Sequence, residues 1–212
     1  MAATLETRWL GRMDYAEALA LQESLVEERR AGHIGDTLLL LEHEPVYTIG
    51  RTRDKSSLLQ AALLPHPVVE ISRGGQATYH GPGQLVGYPL LDLTERGRDL
   101  HAHLRLLEEL LIRCSQKLGA QASSREGLTG VWVEDRKLAS IGVGVRKWIS
   151  LHGFAINVEA QSLEGFRHIT PCGLSEVVMS HLSAEVGRPI STQSFAELVA
   201  QEFQKRLADG GQ

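Results

Sequence analysis

The sequence predicts an α+β protein, a mixed sheet with packed helices. Three observations lead there. Three segments carry a helical apolar stripe, beginning near Asp14, Asp99 and Ser194. Strand-like runs come in adjacent groups as well as between helices, which a doubly wound parallel sheet would not produce. The 212 residues are 42% hydrophobic and 23% charged, a composition that fills a core without disulfide or metal staples. The chain reads as one domain, residues 1–212.

In chain order, Asp14 followed by Glu17 opens the first helix as a capping pattern. Ala18, Leu21 and Leu25 give it one buried stripe, and it ends near Gly32. Thr37–Leu41 and Val46–Ile49 read as buried strands. Val68–Ile71 is a short strand before a Gly-rich loop. Gln84–Leu91 is strand-like but interrupted by Gly87 and Pro89. The second helix spans about Asp99 to Leu118. Its Leu100, Leu104, Leu107, Leu111, Cys114 and Leu118 recur every three or four residues and form one face. Gly130–Val133, Lys137–Val145 and Trp148–Val158 are strands, the first two joined by the turn Glu134-Asp135-Arg136. A loop holds Pro171-Cys172-Gly173. The last helix takes Ser194 as N-cap, with Phe195, Leu198, Val199, Phe203 and Leu207 inward, and Gly210-Gly211 ends it.

Composition excludes several functions. Lys+Arg 22 against Asp+Glu 26 gives a net charge of −4, so a global electrostatic case for nucleic acid is absent. The longest apolar run, Leu38–Leu41, is too short to span a membrane, and the start lacks a signal-peptide plan. Cys114 and Cys172 are too few for a disulfide framework or a Cys-rich zinc site, so the chain reads as cytoplasmic with reduced thiols. His101 and His103 do not share a helix face and read as solvated. No metal site is expected.

Cys114 lies on an apolar stripe and reads as core. Cys172 lies between Pro171 and Gly173, ahead of Leu174–Val178, which could open a helix and favour a thiolate. A structural cysteine fits the same residues. Arg73-Gly74-Gly75-Gln76-Ala77-Thr78-Tyr79-His80-Gly81-Pro82-Gly83-Gln84 is neither a phosphate loop nor a dinucleotide fingerprint. It reads as an ordinary Gly-rich loop or as backbone built for close approach to a ligand; Arg73, Tyr79 and His80 lift the second reading. Lys137 reads either as a hairpin-end surface lysine or as a charged partner for a nucleophile.

The run Arg73-Gly74-Gly75-x-x-Thr78-Tyr79-His80-x-x-Gly83-Gln84-x-Val86-x-Tyr88 resembles the signature of the lipoyl(octanoyl) transferase family. Four further blocks match in the family's order: Glu42-His43 with Pro45–Arg51, Lys137–Gly142, His152-Gly153-Phe154-Ala155-x-Asn157, and Thr170–Leu174. The resemblance implies the fold of the lipoate- and biotin-protein ligase catalytic domains. It implies Cys172 as acyl-thioester nucleophile and Lys137 as its activating partner. It also implies an acyl site lined by Arg73, Gly74, Gly75, Gln76, Ala77, Thr78, Tyr79 and His80, by Ser140, Ile141 and Gly142, and by Gly153, Phe154 and Ala155. The implied donor is octanoyl-acyl carrier protein. The implied acceptors are apo lipoyl domains of 2-oxoacid dehydrogenase complexes and the H protein of glycine cleavage. No cofactor, nucleic acid or membrane is implied.

The chemistry is self-consistent. Exchange of one thioester for another is nearly isoenergetic, and onward transfer to an amine is downhill, so no ATP is required. A free thiol near pKa 8.5 must drop by about two units to be mostly thiolate, a differential stabilisation of about 2.7 kcal/mol that one nearby ammonium supplies. His80 and His152 could position that pair or brace the loop. The alternative is an ATP-dependent lipoate-protein ligase; Thr170–Leu174 and Gly81–Gln84 favour the transferase. An acidic carrier protein calls for a local basic patch, at Arg51, Arg53 and Lys55 or at Arg146-Lys147.

Overall fold

The computed structural model describes residues 5–51, 58, 64–170 and 177–209. In chain order these form β1 (Glu6–Met13), α1 (Tyr15–Arg30), β2 (Thr37–His43), β3 (Val46–Ile49), β4 (Val68–Glu70), β5 (Thr78–His80) and β6 (Gln84–Leu90). Then follow α2 (Leu100–Lys117), β7 (Ala122–Arg125), β8 (Leu128–Val133), β9 (Arg136–Arg146), β10 (Ile149–Asn157), β11 (Val178–Met179), α3 (Leu182–Val186) and α4 (Thr192–Asp209). The main sheet runs β1-β2-β6-β10-β9-β8-β7, with β11 on β9; a smaller sheet runs β4-β3-β5. Pairs β1/β2, β3/β4 and β9/β11 are parallel and the others antiparallel, so the sheets are mixed.

The run Thr37–Leu41 is apolar throughout because both faces of β2 are covered. Leu38 and Leu40 point to α2 and α4, meeting Leu107, Leu111, Cys114, Phe195 and Phe203. Leu39 and Leu41 point the other way, joining Ala18, Leu25 and Val26 of α1 with Val86, Tyr88 and Ala155. This period-2 division puts α1 on one face and α2 with α4 on the other. The smaller sheet has its own core, in which Tyr47, Ile49, Ala77 and Tyr79 meet Phe166 and Ile169.

The first two helices follow expectation. The Asp14 carboxylate accepts the Ala16 N–H at 2.7 Å, and Asp99 accepts the Ala102 N–H at 2.8 Å. Four expectations are corrected. The last helix starts at Thr192, two residues before Ser194, because Ser191 is the cap: its hydroxyl accepts the Ser194 N–H at 3.2 Å. β6 is continuous, since Gly87 makes room for the Phe154 ring. β10 starts at Ile149, because Lys147 and Trp148 have φ of 50° and 69° and form the two-residue hairpin turn. His103 is buried at 3% exposure, whereas His101 is exposed.

Cys114 is core, and burial pushes its thiol up to about 12. No helix among the described residues is long and apolar enough to cross a membrane.

Candidate active site

A cleft of about 500 Å³, counting its open mouth, lies where the Gly-rich loop rests on β9 and β10. Gly74 N–H donates to Val143 O at 3.2 Å. Gly142 permits this contact, because a Cβ there would lie 3.1 Å from both Arg73 Cδ and Gly74 O. Twelve of the fourteen residues implied for the acyl site line the cleft: Arg73, Gly74, Gly75, Gln76, Thr78, His80, Ser140, Ile141, Gly142, Gly153, Phe154 and Ala155. Ala77 and Tyr79 do not. They alternate with Thr78 and His80, so they face the core of the smaller sheet instead. Tyr15, Val86, Tyr88 and His152 complete the lining. Val86 and Tyr88 belong to the matched motif, but Tyr15 carries no signal beyond an aromatic at a helix start.

Arg73 holds the loop to β3. Its Nη2 donates to Thr48 O at 3.0 Å and to Thr48 Oγ1 at 2.8 Å, and its Nη1 donates to Gly74 O at 2.8 Å. From there a chain of hydrogen bonds has a fixed direction. Gln84 Nε2 donates to Tyr79 O and to Asn157 Oδ1, so Gln84 Oε1 is the acceptor for His80 Nδ1 at 2.8 Å. His80 Nε2 then accepts from Thr48 Oγ1 at 3.3 Å. Asn157 Nδ2 donates to Ser180 O, and Ser180 N–H donates to Lys137 O at 2.9 Å. Buried polar groups thus tie the Arg73 loop to the backbone of Lys137. His80 is a brace between loop and sheet.

A second set lies beside Tyr15 and Tyr88. His43 Nδ1 donates to Met13 O at 3.0 Å, which leaves Nε2 to accept the Tyr88 hydroxyl proton at 2.6 Å. Burial pushes Tyr15 up to about 12 and Tyr88 well above its ordinary value, so both phenols stay neutral. Burial also holds the imidazoles neutral at pH 7: His43 drops to about 4, His80 to about 3 and His152 to about 4.

His152 has φ of 58° inside β10, and its N–H turns to the Gln22 side-chain oxygen at 2.9 Å. Its Nε2 lies 3.2 Å from Ser72 Oγ, which anchors the start of the loop beside Arg73. Among the described residues, no group of three or more His, Cys, Asp or Glu could hold a metal ion.

Lys137 is not a surface residue. It is 3% exposed, at the start of β9, three residues before Ser140 at the cleft. Cys172 lies outside the described residues, as do Arg53 and Lys55 of the basic patch. Of the other basic candidates, Arg51 is exposed, and Arg146 pairs with Glu23 at 3.1 Å and Glu27 at 3.9 Å. Val178 and Met179 are strand, so no helix from Leu174 continues through them.

The sequence profile of the family described as "Lipoyl protein ligase A/B catalytic domain" matches residues 14–204. An octanoyltransferase of Syntrophotalea carbinolica is 50% identical over 203 residues, which cover 96% of this chain and 94% of that protein. Among solved structures, a chain from the bi-partite lipoate protein ligase of Thermoplasma acidophilum gives a TM-score of 0.75 at 17% identity, covering 98% of this chain and 84% of that one. The biotin protein ligase of Aquifex aeolicus gives 0.59 at 15% identity, covering 96% and 70%. At these identities the solved structures establish the shared fold.

Proposed function

Because the chain belongs to the lipoyl protein ligase A/B catalytic-domain family and, within it, to the octanoyltransferases, we propose that it transfers octanoyl through a covalent thioester on Cys172. The enzyme class, octanoyl transfer for protein lipoylation, follows from the family itself. The proposal adds donor, acceptors and mechanism. The donor is octanoyl-acyl carrier protein, and the acceptors are apo lipoyl domains, including those of 2-oxoacid dehydrogenase complexes, and the glycine cleavage H protein.

The burial of Lys137 carries this reading. A lysine at a hairpin end is ordinarily exposed, and Lys137, 3% exposed, fits instead a group held for the reaction. In the first half-reaction the Lys137 ammonium stabilises the Cys172 thiolate. The sulfur attacks the octanoyl carbonyl, the carrier's sulfur leaves as the thiol with a proton from the Lys137 ammonium, and the acyl group rests on Cys172. The acyl chain lies in the cleft, against Val86, Ile141, Phe154 and Ala155. Each buried methylene contributes about 0.8 kcal/mol. In the second half-reaction Lys137 is the neutral amine left by that proton transfer. It takes the proton of the incoming lysine amine, which attacks the thioester and forms the amide. Cys172 is released as the thiolate beside the restored Lys137 ammonium.

The test is intact-mass analysis after incubation with octanoyl-acyl carrier protein, without ATP. One added octanoyl group is expected, labile to hydroxylamine and absent from Cys172→Ser, and lost on adding an apo lipoyl domain. An adduct that forms with octanoate only when ATP is present would put the chain with the ligases. Separately, Lys137→Arg keeps the charge but cannot act as a base. It should retain part of the acyl-enzyme formation and lose at least 100-fold in discharge to the lipoyl domain, measured by single-turnover quench. Discharge at the wild-type rate would end the base role.

A further inference from the structure

Trp132 is fully buried and faces Lys137 directly across the β8–β9 pair. One position on, Val131 pairs with Ala139, so β9 carries one extra residue, Leu138, immediately after Lys137. A bulge of this kind re-aims the side chain beside it. The result is that Lys137 Nζ lies 5.1 Å from the centroid of the Trp132 ring.

Gly130 makes the path. Its φ is 136°, a conformation that favours glycine, and a Cβ there would lie 2.5 Å from Ala139 O, 2.9 Å from Lys137 Cε and 3.5 Å from Lys137 Nζ. The end of the lysine therefore runs through space that any other residue would fill. Glu108 on α2 fixes this backbone by accepting the Gly130 N–H at 2.7 Å. The guanidinium of Arg125 lies 5.0 Å from the same ring, so two cations use one aromatic.

We propose that Trp132, with the gap at Gly130, forms a seat that holds the Lys137 ammonium in place for acyl transfer, making Trp132 a positioning residue. The inference rests on the role given above to Lys137. An aliphatic residue at position 132 would take the aromatic face away from the ammonium. That face attracts the cation and restrains a side chain with four rotatable bonds. It does not attract the neutral amine, so the hold is strongest in the charged state that the first half-reaction uses.

The test weakens the ring's face at nearly constant volume. Trp9 and Trp148, the other two tryptophans, are replaced by Phe. Trp132 is then substituted by tryptophan carrying one to four fluorines. The single-turnover rate of Cys172 acylation from octanoyl-acyl carrier protein should fall stepwise, by about tenfold across the series. The KM for the carrier should stay within twofold, and Trp132→Phe should lie inside the series. A flat series overturns the proposal, because a purely structural role depends on volume and not on ring electronics. A second measurement needs no substrate. The Lys137 side-chain methylene protons, assigned by their loss in Lys137→Met, should be shifted upfield by the indole ring current; unshifted protons overturn the seat. If Lys137→Met acylates at the wild-type rate, it is the role of Lys137 in the reaction that fails, and the ring-current shift still reports whether the seat exists.

Discussion

Between pH 6.5 and 4 the protein is expected to lose most of its folding stability, because four buried histidines must stay neutral in the folded state. Burial lowers His43, His103 and His152 to about 4 and His80 to about 3. In the unfolded chain each returns to about 6.5. As pH falls through 6.5 the unfolded state takes up protons that the folded state refuses. Stability is therefore full above pH 6.5 and declines until the folded values are reached. Each histidine costs about 1 kcal/mol or a little more per pH unit in that window, and the four together cost roughly 4–5 kcal/mol per unit, against a typical total of about 5–15 kcal/mol. Chemical denaturation at a series of pH values should show this slope, with an acid midpoint near pH 5. His103 offers the cleanest variant. It lies on the α2 face, away from the cleft, and neither ring nitrogen has a hydrogen-bond partner among the described residues. His103→Leu should raise the melting temperature more at pH 5 than at pH 8 and move the acid midpoint down. An unchanged acid midpoint would show that His103 titrates normally in the fold.

The same histidine shows where pattern reading stops. The stripe of α2 is legible because Leu100, Leu104, Leu107 and Leu111 repeat at helical spacing, and it packs as expected. His103 lies three residues after Leu100 and four before Leu107, so helical geometry puts it beside that stripe, but a polar side chain does not register in an apolar count. Edge strands were silent for a related reason. β1, Glu-Thr-Arg-Trp-Leu-Gly-Arg-Met, is half-exposed at one edge of the sheet, and β7, Ala-Ser-Ser-Arg, is short and polar at the other. Neither has a clean period of two, because little of either is buried. The central strands β2, β6 and β10 read well because both of their faces are covered.

The cleft was legible only through motif order. Arg73, Ser140 and Gly153 are far apart in the chain, and what joins them is the Gly74–Val143 contact and the register of β9 with β10. The Lys137 seat was not legible at all. It depends on a one-residue register shift between two strands, which no side-chain pattern announces.

Gly50→Ala is expected to cost about 100-fold in octanoyl transfer while leaving a folded protein. A Cβ at Gly50 would overlap the carbonyl oxygen of Gly75 and would lie 2.9 Å from Arg73 O and 3.0 Å from Gly75 C. All three are backbone atoms, so no side chain can rotate aside. The segment cannot shift freely either, since the Arg51 N–H donates to Arg73 O at 3.0 Å and Tyr47 and Thr48 are paired within the smaller sheet. The Gly-rich loop must yield. Its movement strains the Arg73–Thr48 bonds and the Gly74–Val143 contact, which together set one wall of the cleft. A displacement of about 1 Å at a reacting site is enough for a loss of that size. Overpacking of this kind costs about 1–3 kcal/mol of stability, within what a stable domain tolerates. Gly97→Ala is the matched control. Gly97 also loses stability on substitution, because its φ is 79°, but nothing lies within 4 Å of the added Cβ and the residue is remote from the cleft. It should lower the melting temperature and leave transfer unchanged. Transfer by Gly50→Ala within threefold of wild type, at a melting temperature no higher than that of Gly97→Ala, would show that the loop's seat on Gly50 does not set the geometry of the site.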